Sequence, residues 1–187
     1  MEFYHCSPVG GLTVLEPREP EAFDKPARVY MTTLVPMALM YSVRNFEYTY
    51  GYTKEGQIYF EEYFPNAMEI LYRGKTASLY LCMPEHKDTT PIPNEVVSEL
   101  PVPILRETII PDAMEALLEQ ERLGALVIRR YDVLTSRERE WIRKAEMQTI
   151  LEKGLLDKDD AFAAYMKAHY PDSWELAMEM RTLRGGA

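Results

Sequence analysis

The chain has 187 residues, of which 47% are hydrophobic, so it is long enough to fold around a core of its own. Its 21 Lys and Arg residues against 30 Asp and Glu residues give a formal net charge of −9 at pH 7. This charge repels phosphate backbones and anionic lipid surfaces, so general nucleic-acid binding is not expected.

Two further features predict a cytoplasmic protein without membrane association. The chain opens without a basic leader, and its longest apolar run, residues 29–43, contains two threonines and Pro36, so neither a signal peptide nor a spanning helix is predicted. The only cysteines, Cys6 and Cys82, are too few for a disulfide framework and lie in apolar segments, where a reduced thiol behaves as a small hydrophobe.

Residues 2–110 have the pattern of a β-rich region, because short apolar segments alternate with Gly and Pro. Strands are predicted at 2–6, 28–32, 48–52, 57–63, 76–82, 95–100 and 104–109. Two short helices interrupt them, at 35–44 with Pro36 in the first turn, and at 64–74 with Pro65 near the start and Gly74 as the stop.

From residue 111 onward the pattern is mostly helical. A helix begins at Pro111-Asp112 and ends at Gly124, and a last strand is expected at 125–131. Further helices are predicted at 136–153, 159–169 and 172–183, with a frayed end at 184–187. The fold class is therefore α+β, with a core at 1–110 and a mostly helical extension at 111–187 that packs on this core.

Three short motifs in the first part place polar and aromatic groups in order along the chain. His5 lies in Phe3-Tyr4-His5-Cys6-Ser7, at the end of the first strand. Tyr30 lies in the second predicted strand, before Met31-Thr32-Thr33, and Tyr41 follows eleven residues later in the first helix. A strand, a loop and a helix in this order are expected to bring both tyrosines to one cleft.

A strand reading Tyr-His-x-Ser, then a strand with Val-Tyr and small polar residues, then a helix that ends in Tyr, resembles the ADP-ribosyltransferase superfamily. The likeness is to the branch of the poly-ADP-ribose polymerases and diphtheria toxin, and the rifamycin ADP-ribosyltransferases have a similar opening. The resemblance covers roughly residues 3–110 and implies the split β-sheet core of that superfamily. The resemblance does not extend to residues 111–187.

The resemblance also implies roles for individual residues. The motif His5-Cys6-Ser7 would bind NAD, with His5 on a ribose hydroxyl, and Tyr30 and Tyr41 would pack against the nicotinamide ring. A third family motif, a glutamate at the start of a later strand, matches Glu95 in Asn94-Glu95-Val96, with Glu99 in reserve. Cleavage of the nicotinamide–ribose bond builds positive charge on the sugar, which a carboxylate stabilises.

Two functions follow from this pattern. The first is an NAD-dependent ADP-ribosyltransferase, a glycosyltransferase that uses NAD as substrate and passes ADP-ribose to an unknown protein or small-molecule acceptor, or hydrolyses NAD. The family usually has glycine after the histidine, where this chain has Cys6, whose side chain either points away or narrows the pocket. The second is therefore an inactive module of the same fold, whose acidic surface selects a basic protein partner.

Other patterns have simpler explanations. Tyr48, Tyr50 and Tyr52 alternate along one strand face, which is typical of sheet packing, so they are left outside the site. Two thiols and two imidazoles, at Cys6, Cys82, His5 and His86, lack the paired spacing of a zinc site, so no metal is expected. Glu61 and Glu62 fit a solvated strand edge better than a catalytic carboxylate.

Overall fold

A computed structural model describes residues 1–19 and 26–185 and has an α+β architecture. Two compact units divide the chain, the first formed by Met1–Phe60 with Met68–Ile128 and the second by Glu61–Ala67 with the residues from Arg129 onward. The first unit takes in the helix and most of the strand that follow residue 110, whereas the helical pattern of the sequence predicts both in the C-terminal extension. They belong there because the buried Ala113 donates its backbone N–H to the Lys75 carbonyl oxygen and Leu117 lies in the core of this unit.

The predicted strands and helices are all present, with ends that differ by a few residues. The strands are β1 (Phe3–Ser7), β2 (Val14–Leu15), β3 (Val29–Thr32), β4 (Tyr50–Tyr52), β5 (Ile58–Glu61), β6 (Ala77–Cys82), β7 (Asp88–Thr89), β8 (Glu95–Ser98), β9 (Val102–Ile110) and β10 (Val127–Arg129). The helices are α1 (Val35–Met40), α2 (Ala67–Tyr72), α3 (Ala113–Arg122), α4 (Ser136–Glu152), α5 (Ala161–His169) and α6 (Pro171–Gly185). The two-residue strands β2 and β7 are additions to the prediction.

A large antiparallel sheet forms the frame of the first unit. Within the described residues its strand order is β2-β9-β6-β1-β3-β8-β7, and a smaller sheet has the order β10-β5-β4. In the large sheet β1 pairs with β3 through Tyr4 and Thr32, and β3 pairs with β8 through Thr32 and Glu95. The strands that carry His5, Tyr30 and Glu95 are therefore neighbours, although residues 5 and 95 are far apart in sequence.

Helix α1 follows β3 directly and is almost wholly buried. The Thr32 hydroxyl accepts a hydrogen bond from the Leu34 N–H at 3.0 Å, which turns the chain out of the strand, and Pro36 lies in the first turn. The N–H groups of Tyr41 and Ser42 donate to carbonyls three residues earlier, which tightens the last turn and ends the helix at Met40. Tyr41 is thereby fixed at the end of the helix.

The second unit is formed mainly by α4, α5 and α6, which pack against one another. Helix α4 begins with a capping box, in which Thr135 accepts from the Glu138 N–H and the Glu138 side chain accepts from the Thr135 N–H. Across both units, the helices in the described part of the chain fall short of the length and apolar character that crossing a bilayer requires.

Candidate functional site

A cavity of about 660 Å³ opens in the first unit, between β1, β3, α1 and the turn that leads into β8. This volume lies within the range of pockets that bind small molecules and cofactors. The lining residues are Tyr4, His5, Cys6, Arg28, Tyr30, Met31, Thr32, Met37, Ala38, Tyr41, Thr90, Pro91, Ile92 and Glu95. Five of the six residues assigned to the site from the sequence thus surround one cavity.

Ser7 is the exception among the predicted site residues. It borders an adjacent cavity of about 380 Å³, to which His5, Arg28 and Tyr30 also contribute. The reason is strand geometry, because Ser7 lies two residues beyond His5, about 7 Å further along β1. Its hydroxyl accepts a hydrogen bond from the Val9 N–H at 3.1 Å, which begins the turn after the strand.

His5 is held in one orientation by a backbone contact. Its Nδ1 lies 2.8 Å from the carbonyl oxygen of Tyr30 on the neighbouring strand. Since a carbonyl oxygen only accepts, Nδ1 carries the proton, and Nε2 of the neutral ring is left as an acceptor. Burial lowers the pKa of His5 below its ordinary value, so the ring is neutral at pH 7.

The two tyrosines of the site differ in exposure. Tyr30 is 37% exposed and stands at the outer wall of the cavity. Tyr41 is partly buried, its ring centroid lies 4.4 Å from that of Tyr48, and its hydroxyl is 3.1 Å from the hydroxyl of Tyr50. Burial, reinforced by the hydrogen bond with Tyr50, raises the pKa of Tyr41, so this phenol stays protonated.

Glu95 is the acidic group of the cavity and is only 8% exposed. Its Oε1 accepts a hydrogen bond from the Thr90 hydroxyl at 2.8 Å. Burial raises the pKa of Tyr41, Tyr50 and Tyr52, and the negative charge of Glu95 raises it further in each case. The carboxylate therefore lies among neutral phenols.

The reserve carboxylate, Glu99, occupies a different place. It forms an ion pair with Arg28 at 2.8 Å, in which the guanidinium donates through both Nε and a terminal nitrogen to the same oxygen. Glu61 and Glu62 lie in the second unit, where Glu61 pairs with Arg129 at 2.6 Å and Glu62 accepts from the Tyr131 N–H at 3.0 Å. Of these acidic residues, Glu95 alone contributes to the cavity lining in the described structure.

Cys6 lies where the family pattern has glycine. Its side chain is 3% exposed, packs in the same core cluster as Met37 and Ala38, and borders the cavity. Burial raises the pKa of its thiol to about 12, so the group is a protonated, apolar part of the wall. Cys82 belongs to a separate core cluster, and no group of three or more His, Cys, Asp or Glu side chains is placed to hold a metal within residues 1–19 and 26–185.

Two contributors to the site were not predicted from the sequence. The hydroxyl of Tyr50 is hydrogen-bonded to that of Tyr41, whereas its alternation with Tyr48 and Tyr52 predicts only sheet packing. Thr90 reaches Glu95 through a turn that contains Pro91 and Pro93, and a separation of five residues in such a segment gives no sequence signal of the contact. The row of alternating tyrosines is the available sequence signal for the residue that supports Tyr41.

Comparison of the chain with protein-family models, with curated proteins and with solved structures finds no match. The chemistry of the cavity is therefore the basis for assigning a function. It combines a neutral imidazole with a defined acceptor nitrogen, aromatic and apolar walls, and one buried carboxylate. Such a site can hold a flat aromatic group and place a negative charge next to it.

Proposed function

We propose that this protein is an NAD-dependent ADP-ribosyltransferase with the split-sheet fold of that superfamily. The observation that carries the proposal is the arrangement of His5, Tyr30, Tyr41 and Glu95 around one cavity. They come from three neighbouring antiparallel strands and from the residue that follows α1. This is the order of motifs on which the resemblance rests, now supported by their proximity in space.

In the proposed reaction, each group has a role that its environment favours. Nε2 of the neutral His5 accepts a hydrogen bond from a ribose hydroxyl of NAD, and the rings of Tyr30 and Tyr41 hold the nicotinamide. The nicotinamide leaves with the electron pair of its bond to the ribose, and positive charge develops on the sugar. The Glu95 carboxylate stabilises this charge, and the acceptor oxygen or nitrogen bonds to the ribose carbon and releases a proton.

The test compares Glu95→Gln with the matched variant Glu99→Gln. Release of nicotinamide from NAD is measured by chromatography, and binding is measured by the shift of the melting temperature on adding NAD. We expect Glu95→Gln to lower nicotinamide release by roughly 10²- to 10³-fold while NAD still raises the melting temperature. Glu99→Gln should retain the wild-type rate, because Glu99 does not line the cavity itself and only its ion-pair partner Arg28 does.

Two results would overturn the proposal. One is a wild-type protein that releases no nicotinamide and whose melting temperature does not respond to NAD. The other is a Glu95→Gln variant as active as the wild type, which would mean that the buried carboxylate takes no part in the reaction.

A second function is a non-catalytic module of the same fold, and the observation that favours it is the position of Cys6. Its buried side chain borders the cavity where the family pattern has glycine. If the wild type does not bind NAD and Cys6→Gly does, the module is favoured over the enzyme. If the wild type already binds and cleaves NAD, the thiol is only a part of the wall.

A further inference from the structure

The hydroxyl of Thr90 lies between a backbone donor and the buried carboxylate of the site. Its Oγ1 is 2.8 Å from Oε1 of Glu95 and accepts the Ile92 N–H at 3.1 Å. A hydroxyl has one proton to donate, and a carboxylate is a stronger acceptor than the Ile92 carbonyl, which lies farther away at 3.4 Å. The hydrogen-bond direction is therefore fixed, from the backbone N–H through the hydroxyl to the carboxylate.

The turn that carries Thr90 is itself fixed at several points. The Glu95 N–H donates to the Ile92 carbonyl at 3.2 Å, and the Thr33 N–H donates to the Asn94 carbonyl at 3.0 Å. The Tyr52 hydroxyl donates to the Pro93 carbonyl at 2.6 Å. Because these bonds tie the turn to β3 and β4, the Thr90 hydroxyl has a defined position relative to the cavity.

Thr32 also lies close to Glu95, directly opposite it in the pairing of β3 with β8. Its hydroxyl is engaged elsewhere, since it accepts the Leu34 N–H at 3.0 Å and lies 3.2 Å from the sulfur of Met37. Thr32 therefore serves the start of α1, whereas Thr90 donates to the carboxylate.

We propose that Thr90 is a positioning residue that holds the Glu95 carboxylate in its reactive orientation, an inference that rests on the proposed function. A hydrogen bond to an ionised group is stronger than one between neutral groups, and it limits the rotation of the side chain. Without it the carboxylate loses its alignment with the ribose, and misplacement of a catalytic group lowers the rate of the chemical step. Because valine keeps the shape of threonine at the cavity wall, we expect the Thr90→Val variant to bind NAD as the wild type does.

The test measures kcat and KM for nicotinamide release in Thr90→Val, which has the shape of threonine without its hydroxyl. We expect kcat to fall roughly tenfold to hundredfold with KM for NAD unchanged, and Thr90→Ser to recover most of the loss. Thr89→Val is the matched control, because Thr89 is the exposed neighbour in β7 and should retain wild-type kinetics. If Thr90→Val does not fold, Thr90→Ala and Thr90→Ser supply the same comparison.

The outcomes separate this inference from the proposed function. An active wild type whose kcat is unchanged in Thr90→Val overturns the positioning role and leaves the function standing. A fall in kcat that serine does not recover also overturns it, since the hydroxyl would then not be the group that matters. A wild type that neither binds nor cleaves NAD overturns both.

Discussion

The hydrogen bond between the hydroxyls of Tyr41 and Tyr50 gives a prediction that does not depend on any assigned activity. The two oxygens are 3.1 Å apart and both side chains are partly buried. Phenylalanine replaces Tyr41 and Tyr50 in two single variants and in one double variant. These changes remove the hydroxyls and keep the rings, whose centroids lie 6.3 Å apart in an edge-to-face arrangement.

The loss in free energy of unfolding depends on whether a variant leaves one of the two hydroxyls without its partner. A net intramolecular hydrogen bond contributes about 0.5–1.5 kcal/mol, and a single substitution also leaves the partner hydroxyl without this bond. We therefore expect Tyr41→Phe and Tyr50→Phe each to lower the free energy of unfolding by about 1 kcal/mol. The double variant should lose less than the sum, with a coupling energy of about 1 kcal/mol, because its second substitution removes a hydroxyl that has already lost its partner.

The free energy of unfolding is measured by urea titration. Pulsed hydrogen exchange of peptides from residues 35–60 provides the signal, because these peptides report the unfolding of the first unit separately from the second. Tyr48→Phe is the matched control, since its hydroxyl donates to the Val43 carbonyl at 2.9 Å while its ring packs against that of Tyr41 at a tilt of 34°. Its effect should add to that of Tyr41→Phe within about 0.5 kcal/mol. Single effects of Tyr41→Phe and Tyr50→Phe that simply sum in the double variant would refute the reasoning.

Two other predictions concern titratable groups. The thiols of Cys6 and Cys82 should not react with a disulfide reagent at pH 8 until the protein unfolds, because both are buried and burial raises their pKa to about 12; rapid labelling of the native protein would contradict this. The hydroxyl and N–H of Thr135, together with Arg129, hold the pKa of Glu138 at about 2, below its ordinary 4.5. The negative charge of Glu138 therefore stabilises the fold above pH 4.5, and this contribution is lost as the pH falls towards 2. Glu138→Gln should therefore lower the free energy of unfolding at pH 7 and match the wild type near pH 2, and urea titrations that find the same difference at both pH values would exclude this account.

The secondary structure was accessible from the sequence because local signals mark its boundaries. Proline in the first turn of α1 and the Thr135–Glu138 capping box each identify a helix start without reference to the rest of the molecule. The two-residue strands β2 and β7 were not accessible, since they are defined by pairing with β9 and β8 and not by a hydrophobic pattern of their own. Helix α1 ends four residues before the predicted Arg44 because its last turn closes through short-range bonds at Tyr41 and Ser42.

The residues of the site also fall into two groups, those that sequence motifs predict and those that only the structure shows. His5, Tyr30, Tyr41 and Glu95 were predicted from short motifs in the order of a known family, and the structure places them around one cavity. The contact of Thr90 with Glu95 depends on the shape of a turn in which Asn94 has a positive φ of 65°, and no periodic pattern encodes that shape. Sequence reasoning finds residues that act through their type, and it misses those that act through a specific backbone path.

The inner wall of the cavity is also part of the hydrophobic core, since Cys6, Met37 and Ala38 are buried in the cluster that stabilises the first unit. An attempt to enlarge the site from this side would leave a void and lower stability by about 24 cal/mol for each Å³ of cavity created. The outer wall is different, because Tyr30 and Ile92 are each 37% exposed and their substitution lowers the free energy of unfolding only slightly. A change of ligand preference, whether engineered or evolved, is therefore expected at the outer wall of the cavity. Substitutions at the inner wall would destabilise the fold.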